Sequence, residues 1–214
     1  MSRGAMGLFR SDDDRSPGER ARRLALQTAS LAKLPRPVAR FWWRALRRAQ
    51  AEKDTWSIDV ACRPAELHVL LDALSGARRV AEVGTAAAWT TSCIALARPD
   101  RTVDSWDVEA HPERDRYLAL LSPAERARIT LHDRPGGLGP ADPPPVDAVF
   151  IDSSHEREET VATFRTWEPA LVPGGIVGFH DYDDDAYPGV TEAVRELGLQ
   201  GEARGHLFVW RKPS

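Results

Sequence analysis

The sequence predicts a doubly wound α/β sheet behind a helical N-terminal extension, and three observations predict it. From Arg79 onward, short β-branched runs alternate with helical stretches, as in a sheet covered by helices on both faces. The 214 residues, 42% of them hydrophobic, suffice for one full-sized core and an extension. Two terminal extended segments, 198–204 and 206–211, are separated by Gly205 alone, so they must pair as an antiparallel hairpin.

The elements follow in order. Residues 1–17 are polar, with Asp12, Asp13, Asp14 and then Pro17, and read as a disordered tail. From Gly18 the spacing of Leu24, Gln27, Leu31 and Leu34 is helical until Pro35 and Pro37 interrupt it. A second helix starts near Pro37. Its apolar residues Val38, Phe41, Trp42, Ala45, Leu46 and Ala49 share one side, and Arg36, Arg40, Arg44, Arg47 and Arg48 the other. Such a basic amphipathic helix either docks on an anionic surface, or packs on an acidic body or a dimer mate. Trp42 or Trp43, if exposed, would favour a dimer contact. Residues 53–61 read as a connection, and 64–74 as a helix with Leu67, Leu70, Leu71 and Leu74 inward. The expected strands then lie near 79–83, 102–106, 128–132, 146–151 and 175–179. Helices are expected near 88–97, 112–121, 155–171 and 188–198, with a Gly/Pro-rich loop at 135–145. The expected division is a tail (1–17), a basic helical extension with its connection (18–63) and an α/β domain (64–214).

Composition narrows the function. The formal charge of −3 conceals +8 on residues 1–48 and −11 on the remainder. An acidic body disfavours nucleic acid as a partner, since phosphate recognition needs clustered cations, and suits a cationic ligand. Cys62 and Cys93 are isolated, which excludes a disulfide framework or a cysteine-based zinc site. No apolar run approaches the roughly 18–20 residues of a membrane span, and the first residues lack the apolar centre of a secretory signal. A soluble cytoplasmic protein is expected. Arg outnumbers Lys 26 to 3, a bias associated with GC-rich bacterial genomes.

In an open α/β sheet, ligands sit at the carboxyl ends of the strands where the strand order reverses. The first such end reads Val80-Ala81-Glu82-Val83-Gly84-Thr85-Ala86-Ala87-Ala88. Gly84 permits a tight turn and a close ligand approach, and the helix that follows offers unpaired N–H groups. Ala86 and Ala88 stand where a dinucleotide fingerprint would have glycines, so a nicotinamide cofactor is disfavoured. The second strand ends in Asp107, 23 residues after Gly84, where a carboxylate can accept both ribose hydroxyls of an adenosine ligand. The third ends in His132-Asp133. Glu82, Asp107 and Asp133 at successive strand ends would repel a phosphate and welcome a positively charged nucleoside; alternatively they are ordinary loop carboxylates that cap helices.

Over about residues 64–211 the chain resembles the class I S-adenosylmethionine-dependent methyltransferases. Glu82-Val83-Gly84 is similar to the family's first motif and Asp107 to its ribose-binding acid. The stretches Val146-Asp147-Ala148-Val149-Phe150-Ile151-Asp152-Ser153-Ser154-His155 and Leu171-Val172-Pro173-Gly174-Gly175-Ile176-Val177-Gly178-Phe179-His180-Asp181-Tyr182 resemble the branch of small O-methyltransferases that tailor sugars and natural products, kin to metal-dependent catechol-type enzymes. The resemblance implies a Rossmann-like seven-stranded sheet with a reversed last strand. It also implies S-adenosylmethionine as cofactor, with Glu82, Gly84, Thr85, Asp107 and Asp133 as its candidate contacts. The first loop departs from the pattern, because each alanine of Ala86-Ala87-Ala88 adds a methyl group and disfavours positive φ.

At the reaction end, Asp152 closes the fourth strand and His180-Asp181 the fifth. By the resemblance these positions hold a divalent metal, Mg²⁺ or Mn²⁺, and a histidine in this set shifts the preference towards transition ions or signals that no metal binds. By the same carry-over His155, three residues after Asp152, falls where a catalytic base is found, and an imidazole titrates near neutrality. Asp152 and His155 are thus the candidate catalytic pair, and Asp152, His180 and Asp181 the candidate metal ligands. Helix capping by His155 and a structural hydrogen bond from His180 are the alternatives. His111, His132 and His206 belong to no constellation. Methyl transfer to a hydroxyl of a small molecule is the leading expectation. A non-catalytic relative working through its basic N-terminal helices is the second, and an Fe²⁺ oxygenase using both histidines is the third. The acceptor pocket is expected from segments 53–63, 134–145 and 182–189, with a homo-oligomer as the expected assembly.

Overall fold

The computed structural model describes residues 30–139 and 145–214. The expected tail, most of the first expected helix and residues 140–144 lie outside the described residues.

Helix α1 (Arg36–Glu52) is followed by α2 (Thr55–Asp59), α3 (Pro64–Ala73), β1 (Arg79–Val83), α4 (Trp89–Leu96), β2 (Thr102–Asp107), α5 (Glu113–Leu118), α6 (Pro123–Arg126) and β3 (Ile129–Asp133). Then come β4 (Val146–Ile151), α7 (Arg157–Trp167), β5 (Leu171–His180), α8 (Pro188–Glu196), β6 (Gly201–Arg204) and β7 (Leu207–Arg211). The seven strands lie in the order β3-β2-β1-β4-β5-β7-β6. Strands β1 to β5 are mutually parallel, while β7 runs antiparallel to both β5 and β6. This is the Rossmann-like doubly wound sheet with a reversed last strand. The order reverses between β1 and β4, and the crevice forms at their carboxyl ends.

Alternation along the strands divides the core. Val80, Ala148 and Phe150 face a cluster with α1, α3 and α4, whereas Ala81, Val83, Val149 and Ile151 face α7 and α8. Strands buried on both faces read as near-continuous apolar runs, which is why Val146–Ile151 was legible as a strand.

Four local expectations need correction. The supposed connection 53–61 holds α2, because the Asp54 carboxylate accepts the Ser57 N–H at 3.0 Å and caps a turn. Ser122 and Glu125 form a capping box that starts the unexpected α6. Helix α7 stops at Trp167 instead of 171, since Pro169 has no N–H to continue it and a 3₁₀ turn takes over. Strand β5 consequently starts at Leu171, opposite Val146, with a register irregularity before Ala148.

The apolar side of α1 lies on the body of the protein. Val38, Phe41, Trp42, Ala45, Leu46 and Ala49 are buried, and Trp42 meets Trp89 of α4 edge-on at 5.9 Å. Trp42 is therefore unavailable for a dimer contact, while Trp43 is 46% exposed. Arg36, Arg40, Arg44, Arg47 and Arg48 are on the exposed side.

Candidate active site

A cavity of about 590 Å³ opens at the carboxyl ends of β1, β2, β4 and β5. That is within the usual size range of small-molecule sites. Gly84, Thr85, Ala86, Asp107, Asp152, His155, His180 and Asp181 all line it. The three segments expected to build an acceptor pocket contribute Asp59, Val60, Ala61 and Arg63, then Gly136, and Asp184 with Tyr187.

The Gly84 loop is pressed against the end of β4. Gly84 has φ 107°, and a Cβ there would lie 1.7 Å from the Asp152 carbonyl oxygen, so no side chain fits. The Asp152 N–H donates to the Val83 carbonyl at 2.8 Å, tying β1 to β4 at this point. Ala86 (φ 43°) and Ala88 (φ 62°) adopt the left-handed backbone that alanine disfavours. The loop thus has the shape glycines would give it, despite its methyl groups. Asp107 Oδ2 accepts the N–H groups of Thr85 at 3.1 Å and Ala86 at 2.7 Å, and it pairs with Arg114 at 3.1 Å.

Two expected cofactor residues are placed elsewhere. Glu82 is fully buried beneath the loop and accepts hydrogen bonds from Ser105 at 2.6 Å and from Thr91. Burial pushes its carboxyl up to about 8, against those hydrogen bonds, so near neutrality it is uncharged. It braces the loop from below: Ser105 Oγ also meets Thr85 Oγ1 at 2.6 Å. Asp133 is half-exposed outside the cavity and pairs with Arg114 at 2.6 Å. Arg114 joins Asp107 to Asp133 and donates to the Ala86 carbonyl at 2.9 Å. The three acids therefore do not act as one anionic patch. No sequence motif marked Arg114.

At the reaction end the folding is tighter than the sequence suggested. His155 Nε2 lies 3.3 Å from Asp152 Oδ1 and 2.9 Å from Asp181 Oδ2; His180 Nδ1 lies 3.1 Å and 3.2 Å from the same two oxygens. Four residues each present one donor atom to a common centre, nitrogen and oxygen alternating. His155 (φ 61°) and Asp181 (φ 54°) hold left-handed backbone to do so. Gly189, at the start of α8, allows close packing on His155, since a Cβ there would lie 2.5 Å from the His155 carbonyl oxygen.

Burial opposes charge on every member, but the partners outweigh it. The two imidazoles pull the Asp152 carboxyl down to about 2 and Asp181 further below its usual range. Hydrogen bonds to Asp152 and Asp181 raise His155 to about 9, and the Asp152 charge leads those that raise His180. The set thus favours protonated imidazoles beside ionised carboxylates. With its protons removed it offers two oxygens and two nitrogens, a donor set suited to a divalent transition ion. Glu66, Cys62 and Tyr187 stand beside this set; the sequence singled out neither Glu66 nor Tyr187 and read Cys62 only as an isolated cysteine. Of these, Glu66 had a local signal, because it is the third residue of a helix that opens with proline.

Comparison with known proteins agrees with this geometry. Residues 81–182 match a family model described as a methyltransferase domain. Among solved structures the chain is similar to the O-methyltransferase TomG from Streptomyces achromogenes, involved in tomaymycin synthesis and determined in complex with SAM. The identity is 20%, covering 78% of this chain and 89% of that one, with a TM-score of 0.56. It is also similar to a TDP-rhamnose 3′-O-methyltransferase of calicheamicin biosynthesis, at 18% identity over 92% of this chain and 95% of that one, with a TM-score of 0.55. No curated protein sequence matches. At these identities the structural likeness is one of fold. Residues 81–182 thus match a methyltransferase domain, and the chain shares the fold of the O-methyltransferases to which it is similar.

Proposed function

We propose that the protein transfers the methyl group of S-adenosylmethionine to a hydroxyl of a small acceptor, a sugar or natural-product intermediate, with help from a divalent cation. The observation that carries this reading is the convergence of Asp152, His155, His180 and Asp181 in the cavity that also holds the Gly84 loop and Asp107. Gly84 and Thr85 would face the cofactor, with Asp107 accepting from its ribose. Asp152, His180 and Asp181 would hold a cation such as Mg²⁺ or Mn²⁺. When bound, that cation supplies charge that lowers the pKa of an acceptor hydroxyl and of His155 alike. His155 Nε2, at the fourth corner, receives the hydroxyl proton, and Tyr187, its ring 4.4 Å from that of His155, walls the acceptor side. The TomG and TDP-rhamnose enzymes, which share the fold, support an acceptor of this kind.

The test is calorimetric titration with S-adenosylhomocysteine, with and without Mn²⁺ or Mg²⁺ and after chelation, followed by methyl transfer to a panel of sugars and catechols. Asp107→Asn should weaken binding on the order of 100-fold, the loss of charged hydrogen bonds worth about 3 kcal/mol. His155→Ala should bind normally and lose about 10²–10⁴-fold in transfer rate. A folded protein that does not bind S-adenosylhomocysteine would overturn the reading, and unchanged turnover of His155→Ala would remove its assignment as base.

A further inference from the structure

The ring of His180 can coordinate a cation through Nδ1 only if its proton sits on Nε2. Nδ1 faces Asp152 and Asp181. Nε2, on the far edge, is buried and has no hydrogen-bond partner. The carboxylate facing it is Glu66, whose Oε2 lies 3.6 Å away. Glu66 comes from the first turn of α3 and is held in place, since the same oxygen accepts the Arg63 N–H at 3.1 Å. The Cys62 sulfur is also in this group, but it donates to the Arg63 carbonyl and a thiol is a weak acceptor.

We propose that Glu66 is a positioning residue: it accepts the Nε2–H of His180, fixes the tautomer that leaves the Nδ1 lone pair aimed between Asp152 and Asp181, and so makes this a nitrogen-containing site that takes a first-row transition ion of the Mn²⁺ class in preference to Mg²⁺. The proposal rests on the cation-assisted reading above. Metal-bound imidazoles characteristically give their other N–H to a carboxylate, which orients the ring and raises its basicity. Mg²⁺ favours all-oxygen coordination with retained water, whereas a ring nitrogen suits transition ions. The contact, 3.6 Å in this structure, would have to close to about 2.9 Å for the hydrogen bond to form once His180 takes a ligand position. Helix α3 thereby supplies a residue to the metal centre, although every ligand lies at the sheet ends.

The test is calorimetric titration of the full chain with MnCl₂ and with MgCl₂, with no methyl acceptor present. The wild type should bind Mn²⁺ at least about tenfold more tightly than Mg²⁺. Glu66→Gln keeps an oxygen for the Arg63 N–H, so its melting temperature and S-adenosylhomocysteine affinity should be unchanged, while Mn²⁺ affinity falls about 10–100-fold. Wild-type Mn²⁺ affinity in Glu66→Gln, or Mg²⁺ bound as tightly as Mn²⁺, would overturn the proposal. So would a thiolate-to-cobalt absorption band on Co²⁺ addition that disappears in Cys62→Ser, because Nε2 would then itself be a ligand. Binding of neither ion also overturns it, and methyl transfer in chelator would then leave the transferase reading intact. Conversely, Mn²⁺ binding without S-adenosylhomocysteine binding supports this proposal and overturns the transferase reading.

Discussion

Single residues around the cavity hold conformations that their chemistry disfavours. Ala86, His155 and Asp181 all line it with positive φ, and such strain persists only where the surroundings enforce it. For Ala86 the enforcing contacts are the Asp107 carboxylate on its N–H and Arg114 on its carbonyl. Ala86→Gly should therefore relieve the methyl group's cost, net of glycine's extra unfolded-state entropy, and stabilise the protein by about 0.5–1 kcal/mol in urea denaturation. A destabilised variant would show that the methyl packs productively. Glu82 makes a second residue-scale prediction. Its folded pKa of about 8 lies above the reference value of 4.5, so the folded state retains a proton that the unfolded chain releases. Its stabilising contribution is full below about pH 4.5 and is lost as pH rises towards about 8. Glu82→Gln, which mimics the neutral acid, should flatten the fall in melting temperature between pH 5 and 8 relative to the wild type. Identical slopes in both proteins would mean that Glu82 is not held neutral.

At the scale of elements, α1 was readable as amphipathic but not as to what it faced. Its apolar side joins the same cluster as α3, α4 and the sheet, through the Trp42–Trp89 contact and on to Tyr117, 5.0 Å from Trp89. The Tyr117 hydroxyl donates to Asp54 at 2.6 Å, and Asp54 caps α2, so the N-terminal helices and α5 are locked together. Trp42→Ala should cost about 3–5 kcal/mol, measured by urea denaturation, while leaving S-adenosylhomocysteine affinity unchanged, because Trp42 does not line the cavity. A loss below about 1 kcal/mol would mean that α1 is dispensable to the core. The turn that opens α3 has a different task, since Glu66 at its third position reaches the imidazole of His180.

For the whole molecule, strand order decides which residues can react together. Because β1 lies between β2 and β4, the Gly84 turn is flanked by Asp107 on one side and Asp152 on the other, and β5 adds His180 and Asp181 beyond. The Gly84 loop and the group of Asp152, His155, His180 and Asp181 thus share one crevice. Arg116 of α5 pairs with Glu52 at the end of α1 at 2.6 Å, and Arg44 donates to the Leu120 carbonyl at 3.0 Å, so α1 is tied to the body at its polar edge as well as by its apolar side. Among the described residues, no helix is long and apolar enough to cross a membrane.

The sequence by itself determined the alternation of strands and helices, the reversed last hairpin, and the strand-end positions of Asp152 and His180-Asp181 with His155 just beyond, because periodicity, turn residues and strand-end positions are local properties of the chain. It also placed Asp107 and Gly84 correctly at the cavity. Only the tertiary structure decided that Glu82 is a buried, neutral brace and that Arg114 binds Asp107 and Asp133. It likewise decided that the apolar side of α1 lies against the body, and that Glu66 stands behind His180. Each of these depends on which side chains meet across 20 or more residues, or on which way a strand-end carboxylate turns. A strand end predicts where a side chain begins, but the packing around it settles whether that side chain faces ligand, solvent or core.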